Sequence, residues 1–149
     1  MTLAALGGPI AARKGIVDIY RKSAPKDAKG LRVALASHTH VGVTSQSARD
    51  LFYPHYSNYW HHASGGRVPL MSRIQFDDAA SAGMALMAGS PDEITERLLF
   101  AHEVLGIDRF LAQIDVGSLP FSEVAAVIER IGTQVAPVVR KATRARTTA

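Results

Sequence analysis

The sequence predicts an α/β fold of about four strand–helix units with parallel strands. Apolar segments typical of strands alternate with helical patterns along the chain, and Gly, Pro and Ser mark the turns between them. A complete eight-stranded barrel takes about 250 residues, whereas this chain has 149. The length therefore predicts either part of a TIM-type β/α barrel or a small open α/β sheet.

The first half of the chain predicts two strand–helix units. Residues 3–6 form a short apolar strand, and the helix after it has an apolar stripe at Ala12, Ile16, Ile19, Tyr20 and Ser23. Residues 31–41 are predicted to form a strand, because Leu31, Val33 and Leu35 would point to one face and Arg32, Ala34 and Ala36 to the other. Thr44 or Ser45 is expected to cap the next helix, and Pro54 is expected to kink or split it.

The middle of the chain predicts an irregular segment followed by a strong helix start. Residues 61–78 show no clear period and, at about 18 residues, exceed most loops of compact domains, so we expect a lid there. Residues 84–88 predict a short buried strand. Ser90 is expected as N-cap, Pro91 as the first helical residue and Glu93 as the reciprocal partner of a capping box.

The last predicted elements follow from turn residues and a clear alternation. Gly106 is expected to end the preceding helix in the left-handed conformation. Residues 107–116 form the clearest strand. A final helix is expected to run to about Val135, with Pro137 ending it.

The positive charge is concentrated at the C-terminus. The net charge is +4, from 17 Lys and Arg against 13 Asp and Glu. Four of the cations lie in a segment without acids, at Arg140, Lys141, Arg144 and Arg146, which leaves 13 against 13 elsewhere. We therefore predict a folded domain over 1–139 and a basic disordered tail over 140–149. The tail has no aromatic residues, so a nucleic-acid partner is not expected.

Composition and missing motifs exclude several classes. The chain has no Cys, which excludes disulfides and thiolate sites and fits a cytoplasmic location. No apolar segment approaches the roughly 20 residues that a membrane helix needs, and no secretory signal is evident. The sequence lacks Gly-x-Ser-x-Gly, Gly-x-Gly-x-x-Gly and Walker motifs. It therefore does not support a nucleophile triad, a nicotinamide-binding Rossmann domain or a nucleotide hydrolase.

Several segments, in chain order, resemble one family. They are Leu6-Gly7-Gly8-Pro9, Val17-Asp18-Ile19-Tyr20-Arg21, residues 33–41, Ser47-Ala48-Arg49-Asp50, Phe52-Tyr53-Pro54, Gly89-Ser90-Pro91-Asp92-Glu93-Ile94, Gly106-Ile107-Asp108-Arg109-Phe110-Leu111 and Val135-Ala136-Pro137-Val138-Val139-Arg140. Their order and spacing resemble the C-terminal half of luciferase-like flavin-dependent monooxygenases.

This resemblance implies a partial luciferase-like β/α barrel with FMN or a deazaflavin at the C-terminal ends of the strands. In such enzymes reduced flavin and oxygen oxidise a small organic substrate, and the cofactor supplies the difficult chemistry. The first half of the barrel, which holds much of the flavin, is absent from this sequence. We therefore expect the chain alone to be incomplete for catalysis, to bind FMN weakly or not at all, and to act as a homo-oligomer or with a separate N-terminal half.

His38 and His40 are two residues apart on a predicted strand and share one face near its C-terminal end. Barrels place their sites at that end. The pair could line a ligand pocket, serve as hydrogen-bonded structural residues, or ligate a metal, although the sequence places no third ligand. The resemblance favours the pocket, with both histidines binding the cofactor.

Two further pairs of candidate residues lie near the carboxyl ends of predicted strands. Gln113 and Asp115 could contact substrate, or Asp115 could cap the turn at Gly117. Gly89 and Ser90 open a helix, whose free N–H groups could bind the cofactor phosphate or simply be capped.

Parallel strands place all six of these residues on one rim of the sheet. The predicted lid leaves the same rim, and an aromatic stripe could form a wall beneath it or belong to the core: Tyr53, Tyr56, Tyr59 and Trp60. Two alternative functions remain open at this point. One is a non-catalytic half-barrel that oligomerises without flavin, and the other is a metal-dependent hydrolase fragment built on His38 and His40.

Overall fold

A computed structural model describes residues 1–147 and shows a four-stranded, fully parallel sheet. The strands are β1 (Thr2–Ala4), β2 (Ala34–Val41), β3 (Met87–Gly89) and β4 (Arg109–Gln113). The predicted α/β class and parallel sheet are confirmed. Each strand is shorter than its predicted segment or shifted along it by one to three residues.

β2 is the centre of the sheet and contacts all three other strands. In a parallel strand, successive residues direct their backbone bonds to opposite edges. The carbonyl of Ala36 accepts from Ala5 at 2.7 Å, after β1, and Gly42 donates to the carbonyl of Gly89 at 3.1 Å. The carbonyl of Val33 instead accepts from Asp108 at 2.8 Å, just before β4. β1 and β3 therefore lie end to end along one edge of β2, and β4 lies along the other.

Helices connect the strands and extend beyond the last one. They are α1 (Lys14–Lys22), α2 (Ser45–Ala63), α3 (Arg73–Ala79), α4 (Pro91–Leu105), α5 (Phe121–Arg130) and α6 (Ala136–Thr147). A 3₁₀ turn, Ile10–Arg13, precedes α1, and a π-helical turn, Ile131–Val135, joins α5 to α6. None of the helices within residues 1–147 combines the length and apolar character that a membrane-spanning helix requires.

Two apolar clusters cover opposite faces of the sheet. The first joins Val33, just before β2, and Leu35 of β2 to α1, α4 and the π-helical turn. The second joins Leu86 and Ala88, at β3, to α2 and α3. Because strand side chains alternate between faces, residues 34, 36, 38 and 40 of β2 lie on the side of α2 and α3.

Neither Pro54 nor Pro137 divides or ends a helix. α2 is not split at Pro54, because Phe52 and Tyr56 on either side are buried in one cluster and hold both halves in place. Pro137 does not end the last helix either. It follows the π-helical turn, where the wider coil accommodates the missing N–H, and α6 continues to Thr147. The basic segment is therefore helical over residues 140–147, in contrast to the predicted disorder, and residues 148–149 lie outside the described part.

The predicted lid is mostly ordered structure. α2 extends to Ala63, and α3 begins after Ser72, whose hydroxyl accepts from the backbone of Gln75 in a capping box. The signal missed at this start was the Ser-x-x-Gln spacing. Only residues 64–72 are irregular, and the hydroxyl of Tyr53 ties them down by donating to the carbonyl of Met71 at 2.8 Å.

The start and end of α4 largely follow the sequence. Ser90 is the N-cap, with its side chain accepting from the backbone of Glu93, and Pro91 is the first helical residue. Gly106 ends the helix with φ 61° and ψ 46°. The reciprocal half of the predicted capping box is wrong, because the carboxylate of Glu93 instead accepts hydrogen bonds from Ser45 and Arg49 of α2.

Candidate functional site at the carboxyl ends of the strands

The six predicted site residues lie along one rim, as expected for parallel strands. His38 is the register partner of Gln113 across β2 and β4. His40 pairs with Ala88, and the next position brings Gly89 beside the end of β2. Asp115 follows β4 by two residues. The predicted placement is confirmed, whereas the binding roles of these residues remain predictions.

His38 is enclosed by the aromatic side chains of α2. Its ring centroid lies 5.6 Å from that of Tyr56, 5.3 Å from Tyr59 and 5.7 Å from Trp60. The residue is 1% exposed, and neither ring nitrogen has a hydrogen-bond partner among the described residues. Burial lowers the pKa of His38, so the ring is neutral at pH 7. The aromatic stripe is thus both core packing and the wall around this histidine.

His40 packs flat against an aromatic ring at the next position along the same face. Its ring stacks on Phe52 at 5.2 Å with an interplanar angle of 13°. Burial, with the charges of Arg130 and His55, lowers the pKa of His40 to about 4. Two neutral, covered imidazoles are poorly placed to receive a ligand from solvent.

A metal site at these histidines finds no support. Within residues 1–147, no group of three or more His, Asp or Glu side chains is placed to hold a metal ion. The rings of His38 and His40 face aromatic carbon rather than a third ligand. The hydrolase alternative therefore has no site among the described residues.

The turn at Gly89 and Ser90 is occupied by protein groups. The backbone N–H of Ser90 donates to the hydroxyl of Ser45 at 3.1 Å, and the hydroxyl of Ser90 accepts from the N–H of Glu93 at 3.3 Å. The carboxylate of Glu93 lies so close to Gly89 that a Cβ there would overlap it. An anionic phosphate would have to displace Ser45 and approach a carboxylate.

Glu93 is the centre of a network that ties α2 to α4. Its carboxylate accepts from Ser45 at 2.6 Å and from Arg49 at 2.6 Å, and it also pairs with Arg97. Burial alone raises the pKa of Glu93, but the hydrogen bond from Ser45 and the charges of Arg97 and Arg49 bring it below its ordinary value. The network fixes the rim and was not among the features predicted from the sequence. The spacing of four residues between Glu93 and Arg97 was the available signal.

Gln113 and Asp115 are exposed, unlike the histidines beside them. The turn that follows is held by His55, whose Nδ1 donates to the carbonyl of Gly117 at 2.8 Å. Within residues 1–147, the carboxylate of Asp115 makes no hydrogen bond to that turn, so the capping alternative is not supported. The rim thus has a sealed half under α2 and an open half at β4.

The open half continues into an uncovered face of the sheet. In register, Ala34 lies between Thr2 and Arg109, and Ala36 lies between Ala4 and Leu111. α2 and α3 cover only the C-terminal end of this face, and Leu111 is 41% exposed. Small side chains at four of these positions leave a shallow, open wall.

Comparison with known proteins identifies solved structures that share this fold. No family model and no curated protein matches the chain. Among solved structures, monooxygenase RslO1 from Streptomyces bottropensis matches 91% of this chain with TM-score 0.74 and 19% identity. The oxygenating constituent of 3,6-diketocamphane monooxygenase from Pseudomonas putida, a type II Baeyer–Villiger monooxygenase solved with FMN, matches 90% with TM-score 0.62 and 17% identity. Apo-MsnO8 matches 79% with TM-score 0.56 and 14% identity.

The chain spans about two fifths of these structures, namely 40%, 42% and 39% of their lengths. At these identities the likeness concerns the fold. It confirms the predicted fold class, part of a TIM-type β/α barrel.

The predicted cofactor residues do not by themselves fit an FMN molecule. The Ser90 turn presents a carboxylate where a phosphate would need cations or free N–H groups. His38 and His40 are covered by α2, although the unpaired nitrogens of His38 leave a buried polar group without a partner.

Proposed function

We propose that this chain is the C-terminal portion of a luciferase-like flavin-dependent monooxygenase and supplies one wall of its cavity. The observation that carries the proposal is the match of 91% of the chain to monooxygenase RslO1 with TM-score 0.74. The flavin, FMN or a deazaflavin, would be held mainly by polypeptide outside this chain. The enzyme as a whole would use reduced flavin and oxygen to oxidise a small organic substrate.

The uncovered sheet face supports this role. Its centre consists of Ala34, Ala36 and Leu111, which offer apolar surface and room for a planar group. Gln113 stands at its carboxyl end as an exposed amide able to donate or accept hydrogen bonds. Ligand sites in parallel α/β folds lie at this end of the strands.

The occupied Ser90 turn explains why the chain alone should be inactive. Glu93 disfavours an anion there, and the hydroxyl of Ser45 already uses the N–H of Ser90. A phosphate therefore needs a cradle from elsewhere, either a separate N-terminal half or a second copy of the chain.

Flavin titration and complementation test the proposal. The isolated chain, titrated with FMN and followed by flavin fluorescence, is expected to show no sub-micromolar binding. Co-purification with the part of RslO1 that this chain does not match is expected to retain yellow flavin. Sub-micromolar binding by the isolated chain would contradict the predicted incompleteness, and absence of flavin from a stable complex would contradict the shared cavity.

A matched pair of variants locates the wall. Leu111→Glu places a charge on the uncovered face and is expected to abolish flavin retention by the complex. Ile74→Glu alters a side chain that is 82% exposed on α3, outside the uncovered part of the sheet, and should leave retention unchanged.

A non-catalytic module that oligomerises without flavin is the second candidate. The sealed histidines and the occupied Ser90 turn favour it, because both reduce what the chain offers a cofactor. A self-associated chain that retains no flavin in any complex would select this candidate.

A further inference from the structure

We propose a second binding site, for a small amphipathic oxyanion, in a cleft at the opposite end of the sheet. The cleft lies between α4, the start of β4 and α6, and it has a volume of about 300 Å³. It sits at the amino-terminal end of β4, whereas the candidate flavin wall extends to the carboxyl end. The inference does not depend on the proposed function.

Two arginines of α6 line this cleft. Arg140 and Arg144 are one turn apart on α6. Arg109 borders the cleft at the start of β4, where its side chain shares the strand face of Leu111 rather than that of Phe110. Neither the guanidinium of Arg140 nor that of Arg144 makes an ion pair or a hydrogen bond with another residue of the described part of the chain. Arginine without a protein acceptor is suited to carboxylate and phosphate, which match its planar donors.

One acid faces these cations, and it is already engaged. The carboxylate of Asp108 accepts from the backbone N–H of Val33 at 2.9 Å, which fixes the start of β4 against β2. The other ionisable group in the cleft is His102, whose Nδ1 donates to the carbonyl of Ile107 at 2.8 Å. Two Arg against one Asp leaves a net positive charge in the cleft.

The floor of the cleft is apolar. Leu98, Phe110 and Val139 line it, and Leu98 is 7% exposed. An inorganic anion would bind the guanidinium groups but leave the apolar floor exposed to water. An oxyanion with a short apolar body would use both, because apolar surface removed from water adds affinity. The concave shape and floor favour such a molecule over an extended polyanion, which would need a flat basic surface.

Titration followed by NMR tests the site, with octanoate and octyl phosphate as probes. Both are expected to give saturable shifts, with a Kd below about 1 mM, at the amides of residues 107–110 and 139–144. Acetate lacks the apolar body and 1-octanol lacks the charge, so both should bind more weakly. The tighter of the two charged probes identifies the preferred head group.

Charge-neutralising variants make the test specific. Arg140→Gln combined with Arg144→Gln is expected to weaken octanoate binding at least about fivefold. Lys141→Gln, on the same helix but outside the cleft, should change it less than about twofold. All substituted side chains are exposed, so circular dichroism should show unchanged folding. Equal losses in both variants, shifts elsewhere on the molecule, or acetate binding as tightly as octanoate would overturn the site.

Discussion

The imidazole of His40 lies flat on the ring of Phe52, with 5.2 Å between centroids. The stack joins the central strand to α2 and removes a titratable group from water, since His40 is 1% exposed. A protonated ring there would carry a buried charge close to the positive Arg130. The strand and the helix therefore pack stably only while His40 is neutral.

This relationship predicts that the fold is less stable in mild acid. The pKa of His40 falls to about 4 in the folded chain and is near 6.5 when unfolded, so the unfolded state binds more protons between these values. Stability is complete above about pH 6.5 and is lost as the pH falls towards 4. We expect urea unfolding at pH 7.5 and pH 5 to differ by about 2 kcal/mol. His38 acts in the same direction.

The variant His40→Phe should lose most of this pH dependence, because the ring stack is kept and the proton site is removed. His62→Gln changes an exposed histidine and should keep the wild-type dependence. An unchanged pH profile in His40→Phe would contradict the assignment.

The Glu93 network predicts a large loss of stability on removing one charge. Glu93→Gln leaves Arg97, which is 4% exposed, without its carboxylate. We expect a loss of about 2–4 kcal/mol in the free energy of unfolding, measured in urea at pH 7.5. Asp18→Asn breaks the exposed pair with Lys14 and should cost less than about 0.5 kcal/mol. Similar losses in both variants would show that the network is not structural.

The order of elements could be predicted from sequence because local chemistry sets it. Ser90, Pro91 and Gly106 mark the ends of α4 by capping and left-handed geometry, which depend on neighbouring residues alone. The placement of the candidate residues on one rim could also be predicted, since parallel strands bring His38 and Gln113 to the same end of the sheet.

The features that could not be predicted from the sequence depend on contacts between segments far apart in the chain. The periodicity of α2 gave no sign that it covers His38 and His40, because that depends on which sheet face the connection crosses. Pro137 predicted a helix end from local rules, yet the π-helical turn before it lets the helix continue. The pairing of Glu93 with Ser45 joins residues 48 positions apart, beyond any local pattern.

A glycine comparison tests the contact between the turn after β4 and α2. Gly117 has φ 73°, and a Cβ there would overlap the carbonyl of His55. Gly117→Ala should therefore cost about 2 kcal/mol or more, from left-handed strain and displacement of α2. Gly15→Ala, in α1 with open space around it, should be neutral or stabilise by about 0.5–1 kcal/mol. Thermal unfolding of both variants distinguishes the two effects, and an unperturbed Gly117→Ala would show that the turn can move.

The uncovered sheet face predicts self-association of the isolated chain. β4 forms one edge of the sheet, pairing only with β2 among the described residues, and Leu111 stands 41% exposed on its open face. An unpaired strand edge beside apolar surface favours pairing with another chain. We expect sedimentation velocity to show dimers or larger species at high concentration. Leu111→Lys should shift the chain towards monomer, whereas Ile74→Lys, equally charged but on α3, should not. A compact monomer at every concentration would contradict the expectation, and equal effects of the two variants would show that the association does not use this face.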